Sequence, residues 1–266
     1  MSIYRDDFTI LVQGPLGSTS CNNIENYLRY AKVVFSYWDE PQASYDNAGT
    51  FSQNLEIISK FGEKIQSFSN PLPDIKLTVG CAHSSTFYYA ICSMFNGLKH
   101  IDTEYVIKTR SDEFYDDLTP FIEKFLEDEE KIVCGNIFVR NSIPYHFGDH
   151  IFVCKTEILL RATTMLKNFY EAAQLEHNKP DIPPWSKEAS NGAVAESILS
   201  RAILEAKGIP HYATGNEEEW KSIFRDNFYI IDINLTKKFI ARYHAAGASY
   251  IDIFENPHGI QCMEDF

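Results

Sequence analysis

The feature that most constrains this chain is an alternation. Short apolar runs of strand length are separated by stretches whose apolar residues recur at helical spacing. The runs are residues 8–13 (FTILVQ), 32–38 (KVVFSYW), 75–79 (IKLTV), 104–109 (EYVIKT) and 131–139 (KIVCGNIFV). The stretches between them read as helices over 22–30, 52–68, 86–100 and 118–128. In 52–68 the stripe is Leu55, Ile58, Phe61, Ile65 and Phe68, spaced as on one helix face. Strands joined by helical crossovers predict an α/β fold, with a Rossmann-type, mostly parallel sheet flanked by helices on both faces. The second half is less regular. A strand is expected at 150–154, helices at 157–170 and 192–207, and a late strand at 228–232. The tail after Gly247 is aromatic and polar and is expected to wrap a surface. No linker divides the chain, so a single domain is predicted.

Composition narrows the partners. The 266 residues carry 24 Lys+Arg against 37 Asp+Glu, a formal charge of −13. That balance argues against a nucleic-acid binder, which needs a basic footprint. It leaves room for one phosphorylated small molecule whose charge a bound divalent cation offsets. No apolar run reaches membrane-span length, and the start MSIYRDDFTI lacks the apolar core of a secretory signal. The six cysteines form no C-x-x-C pair and several lie in apolar runs, as expected of reduced, buried thiols in a cytoplasmic protein. Phosphate-binding glycine motifs, the zincin motif and the nucleophile elbow are absent from the sequence.

In an open parallel sheet, ligands bind outside the carboxyl ends of the strands. Applied here, that rule gathers Gln13-Gly14-Pro15, Trp38-Asp39, His83 and Arg110-Ser111-Asp112 at one predicted edge. These residue types suit a nucleotide. Gly14 permits close backbone approach. Trp38 or Tyr37 can stack on a base, and Asp39 can accept from a base N–H or a ribose hydroxyl. Arg110 is a bidentate phosphate donor. Asp112 can hold a hard cation that bridges phosphates, because Mg²⁺ takes one or two carboxylates plus substrate oxygens. Each has a plainer reading too: a turn for Gly14-Pro15, packing for Trp38, a helix flank for His83, and an ion pair between Asp112 and Arg110.

Gln13-Gly14-Pro15, Phe35-Ser36-Tyr37-Trp38 and Tyr105-Val106-Ile107-Lys108-Thr109-Arg110-Ser111-Asp112 together resemble the WavE-type lipopolysaccharide-synthesis glycosyltransferases. The block from Tyr145 to Phe152 and the Ala195-Glu196 pair are similar to two later blocks of that family, in the same order. The resemblance implies a GT-A-like fold that uses a nucleotide-diphosphate sugar. Residues of about 8–140 would form the nucleotide-binding half, and about 141–266 the acceptor half and tail. It also implies Mn²⁺ or Mg²⁺ on the donor diphosphate, with Asp112 as the metal carboxylate. The sequence departs from the D-x-D pattern there, since Arg110 stands where the first acid would be.

In an inverting enzyme, glycosyl transfer further needs a carboxylate to take the acceptor proton. Asp149 is the first candidate and Glu196 the second; His244 and His258 in the tail are weaker candidates for a further metal or diphosphate ligand. The expected activity is transfer of a sugar to a hydroxyl of a growing surface glycan, of lipopolysaccharide or capsule type. Alternatives are a sugar nucleotidyltransferase and a non-catalytic nucleotide- or glycan-binding module. A lipid-linked acceptor would bring a cytoplasmic enzyme to the inner face of a membrane, and Lys237-Lys238 with Arg242 is the one basic cluster to meet it.

Overall fold

The computed structural model describes residues 4–38, 48–71, 84–137, 139–175, 194–211, 217–237 and 239–240. The five apolar runs must be judged against these. The first is strand β1 (Phe8–Gly14), the second β2 (Lys32–Trp38) and the fourth β4 (Tyr105–Arg110). The run at 75–79 lies outside the described residues. The last is shorter than expected, as β6 (Ile132–Gly135). Helices α1 (Ser18–Tyr27), α3 (Ser84–Leu98) and α4 (Thr119–Glu127) occupy the crossovers.

One expectation needs correcting. The helix expected over 52–68 is α2 (Ala48–Lys60), and it stops before Gly62, whose φ is +53°. A 3-10 turn (Gly62–Lys64) then leads into strand β3 (Ile65–Asn70), parallel to β2 from Val33↔Ile65 to Trp38↔Asn70. The stripe Leu55, Ile58, Phe61 continues in register with Ile65 and Phe68, so spacing could not show the break. The backbone breaks where a glycine enters the left-handed region.

The later elements are β5 (Phe114–Tyr115), β7 (Phe152–Lys155), α5 (Thr156–Leu175), α6 (Ala195–Lys207), α7 (Glu217–Asn227), β8 (Phe228–Ile231) and β9 (Phe239–Ile240). Sequence reading missed α7, although three acids open its first turn, where the helix dipole favours them, and Trp220 and Phe224 point inward. The sheet has seven strands in the order β3-β2-β1-β4-β7-β6-β8. Strands β3, β2, β1 and β4 are mutually parallel, as are β6 and β8; β7 runs antiparallel to both β4 and β6. A second, two-stranded sheet pairs β5 with β9.

Both faces of the main sheet are covered, which explains the unbroken apolar runs. Along β1, Phe8, Ile10 and Val12 join the core under α1, α2 and α4, whereas Leu11 joins the core under α3, α5, α6 and α7. Among the described residues, no helix is long and apolar enough to cross a membrane.

Candidate active site

Strand order locates the site. From β1 the chain steps to β2 and β3 on one side, and α3 then carries it back so that β4 lies on the other side of β1. The topological switch point is therefore between β1 and β4, and ligands of open α/β sheets sit outside the carboxyl ends there. Those ends are Gln13-Gly14 and Arg110-Ser111, with Gln13 and Arg110 partners in the ladder.

The two ends are tied tightly. Gly14 has φ +129°, and a Cβ added there would lie 2.7 Å from Ser111 Oγ. That conformation and approach require glycine. The Ser111 backbone N–H donates to the Gln13 carbonyl (2.9 Å), and the Ser111 hydroxyl donates to the Pro15 carbonyl (2.6 Å). From α1, Ser20 and Asn23 donate to the Ser111 carbonyl (3.2 and 3.1 Å). The sequence motif Gln13-Gly14-Pro15 thus builds the floor of the site through its backbone.

Beyond that floor lies a cluster of charges. The Arg110 fork donates to both oxygens of Asp112, with Nε and Nη2 each at 2.9 Å. Its Nε also lies 3.4 Å from Oε1 of Glu113, whose carboxylate is 0% exposed. The same Oε1 is 2.5 Å from His150 Nδ1, and Tyr115 donates its hydroxyl to Oε2 at 2.8 Å. His150 Nε2 is 3.9 Å from an Asp149 oxygen. Lys108, fully enclosed, donates to the Asp149 carbonyl. Further out, His146 Nε2 is 3.8 Å from Glu196, at the first turn of α6.

These neighbours set proton affinities. Burial alone would raise the Glu113 carboxyl, but His150, Arg110 and Tyr115 outweigh it and bring the pKa down to about 2. The same contest, won by Lys108, His150 and Arg110, holds Asp149 below the usual range. Glu196 goes the other way: burial and the Asp149 charge raise it. Burial pushes Lys108 down to about 8 and, with the Arg140 charge, His146 to about 4, so His146 is neutral near pH 7. Arg110 is opposed by burial but pushed well above its ordinary value by Asp112 and Glu113. Among the described residues, the buried atoms with no hydrogen-bond partner include His146 Nδ1 and Arg140 Nε.

The structure therefore brings together Gln13, Gly14, Pro15, Arg110, Asp112, Asp149 and Glu196. Trp38 is elsewhere in role: it is 6% exposed and packs on Tyr89 at 5.6 Å between centroids, so its ring serves the core. Asp39, His83, His244 and His258 lie outside the described residues. Sequence reading missed Glu113, His150, Lys108 and Arg140. The antiparallel pairing of β7 with β4, in the register Lys108↔Phe152, carries residue 150 alongside Arg110. The adjacent pairs Asp112-Glu113 and Asp149-His150 were visible, but not that they face each other.

The donor set can be tested for a divalent ion. Among the described residues no group of three or more His, Cys, Asp or Glu forms a metal cage. Asp112 gives each oxygen to Arg110 and keeps a further lone pair on each, as a carboxylate has about four acceptor sites. That suits Mg²⁺ or Mn²⁺ held by one carboxylate plus substrate phosphates, with Arg110 orienting the ligand from behind. Compared with known protein families and with curated proteins, the chain matches none.

Proposed function

We propose that this protein is a GT-A-like glycosyltransferase that moves a sugar from a nucleotide-diphosphate donor to a hydroxyl of a growing surface glycan, working at the cytoplasmic side. The observation that carries the reading is the switch point. Gly14 and Ser111 close the β1–β4 crevice, Arg110 and Asp112 stand at its mouth, and a divided pair of carboxylates lies beside them. The ordered resemblance to WavE-type enzymes supports it.

The residues divide the work. Asp112 would hold a divalent ion, which when bound neutralises the charge that grows on the departing diphosphate. Arg110 fixes the Asp112 carboxylate and adds a hydrogen-bonding cation at the same edge. Asp149 stays ionised, and its charge keeps the Glu196 carboxyl basic. Two carboxylates with opposed proton affinities mark an acid–base assignment. Glu196, partly exposed, takes the acceptor proton as the new glycosidic bond forms. The unpartnered His146 Nδ1 and Arg140 Nε, buried near it, suit sugar hydroxyls.

The test is Asp112→Ala assayed with a panel of nucleotide-sugars and Mn²⁺ for release of nucleoside diphosphate. Turnover should fall at least 100-fold with an unchanged thermal melt, the scale of a lost electrostatic group. Turnover equal to that of the parent protein would remove Asp112 from the donor site. Binding of nucleoside diphosphates without any release by the parent protein would favour the non-catalytic module.

A further inference from the structure

Gln13 lies at the carboxyl end of β1, on the sheet face that α3 covers. Leu11, two residues earlier, packs in the core under α3, and side chains two apart on a strand share a face. The ladder partners of Gln13 are Ser36 on β2 and Arg110 on β4. The Gln13 and Arg110 side chains therefore leave the sheet side by side, one strand spacing of about 4.8 Å apart at the backbone. Both neighbours are engaged. The Ser36 hydroxyl donates to the Ser93 carbonyl (2.8 Å) and accepts from Asn70 (2.8 Å), and Arg110 is tied to Asp112.

Gln13 differs from both. It is only 5% exposed, yet among the described residues its side-chain amide makes no hydrogen bond. Neither amide atom belongs to the set of unpartnered atoms sealed from solvent, so both keep a little surface. The stem is buried and the tip is open at the switch point between β1 and β4. A polar group held this deep is costly without a partner, and here the chain itself supplies none.

The amide offers donors and an acceptor at one tip. A phosphate oxygen only accepts, and it would set its charge against the amide oxygen. A hydroxyl both donates and accepts, so it satisfies the whole tip. Spacing narrows the choice. On the nucleotide-sugar reading, Arg110 and Asp112 mark the diphosphate, and Gln13 is one strand away. A ring bonded directly to a phosphate reaches that far, whereas the base stands one ring further off.

We propose that the Gln13 amide holds a hydroxyl of a sugar ring bonded to the donor diphosphate, either the ribose or the transferred sugar. The proposal rests on the nucleotide-sugar reading and gives the side chain of Gln13 a task beside that of its backbone in the floor of the site.

The experiment is calorimetric titration of the full chain with pyrophosphate, with UDP, GDP and ADP, and with UDP-glucose and GDP-mannose, all with Mn²⁺. It compares the parent protein with Gln13→Met, which keeps the length of the side chain and removes both polar atoms. Gln13→Leu, equally apolar and shorter, serves if the first variant melts below the parent. The variant should weaken a nucleotide ligand about three- to tenfold, the scale of one neutral hydrogen bond, and leave pyrophosphate within about twofold. A loss already present with the nucleoside diphosphate assigns the hydroxyl to the ribose. A loss that appears only with the nucleotide-sugar assigns it to the transferred sugar. A folded variant that binds every ligand as the parent does, or that loses pyrophosphate as strongly as the nucleotides, overturns the proposal. So does a loss confined to one base among nucleotides that the parent binds equally, which would put the amide on the base. In each of these cases the nucleotide-sugar reading stands. If the parent protein binds none of these ligands, that reading itself falls, and Gln13 with it.

Discussion

Replacing Glu113 with Gln keeps the shape of the cluster hub and removes its charge. The carboxylate is 0% exposed and its pKa lies at about 2, against 4.5 when free. At about 1.4 kcal/mol for each tenfold in proton affinity, that gap is about 3 kcal/mol of folding stability. The sign follows from the direction. A depressed carboxyl contributes fully above its unfolded value, and the contribution drains away as pH falls through the folded value. The window is therefore from about 4.5 down to about 2. One pH below 4.5, about 1.4 kcal/mol of the contribution is already gone. Urea unfolding of parent and Glu113→Gln protein at a series of pH values reads this directly, because other titrating carboxylates cancel in the difference. The variant should be less stable by about 3 kcal/mol at pH 7, and the gap should narrow with acid. A gap that stays flat between pH 7 and pH 3.5, or a variant as stable as the parent at pH 7, would refute the claim that Glu113 is a buried, ionised hub.

Other consequences are quickly checked. A Cβ on Gly148 would lie 1.9 Å from the Gly135 carbonyl oxygen, on the backbone of β6. Gly148→Ala should therefore cost about 3 kcal/mol in urea unfolding, at the upper end of ordinary overpacking. Burial pushes the thiols of Cys134 and Cys154 up to about 12. Mass spectrometry should find both unlabelled by a thiol reagent at pH 8 in the native protein and labelled after unfolding; native labelling would contradict their burial. Glu196→Gln should slow transfer about 100-fold or more while leaving donor affinity near the parent value, and equal losses in both would move Glu196 off the acceptor side.

Periodicity carried the fold a long way because it reports burial, and burial on both faces of a parallel sheet leaves unbroken apolar runs such as Phe8 to Gln13. It failed at Ile65 and Phe68, which continue the stripe of α2 yet belong to β3, because a left-handed backbone at Gly62 ends the helix without disturbing the spacing. The same limit applies to Trp38. An aromatic at a strand end reads equally as a base platform or as core, and only the packing on Tyr89 decides for core.

The sequence by itself determined the α/β class, the edge at which polar residues gather, and Arg110 and Asp112 as its charged pair. These follow from local pattern and from the rule that parallel strands end at one side. Tertiary structure decided which charges meet. The antiparallel insertion of β7 beside β4 sets His150 against Glu113, and the packing of α6 brings Glu196 toward His146. Pairing direction and register are properties of elements far apart in the chain. No local spacing encodes them, so the meeting of these charges appears only once the sheet is assembled.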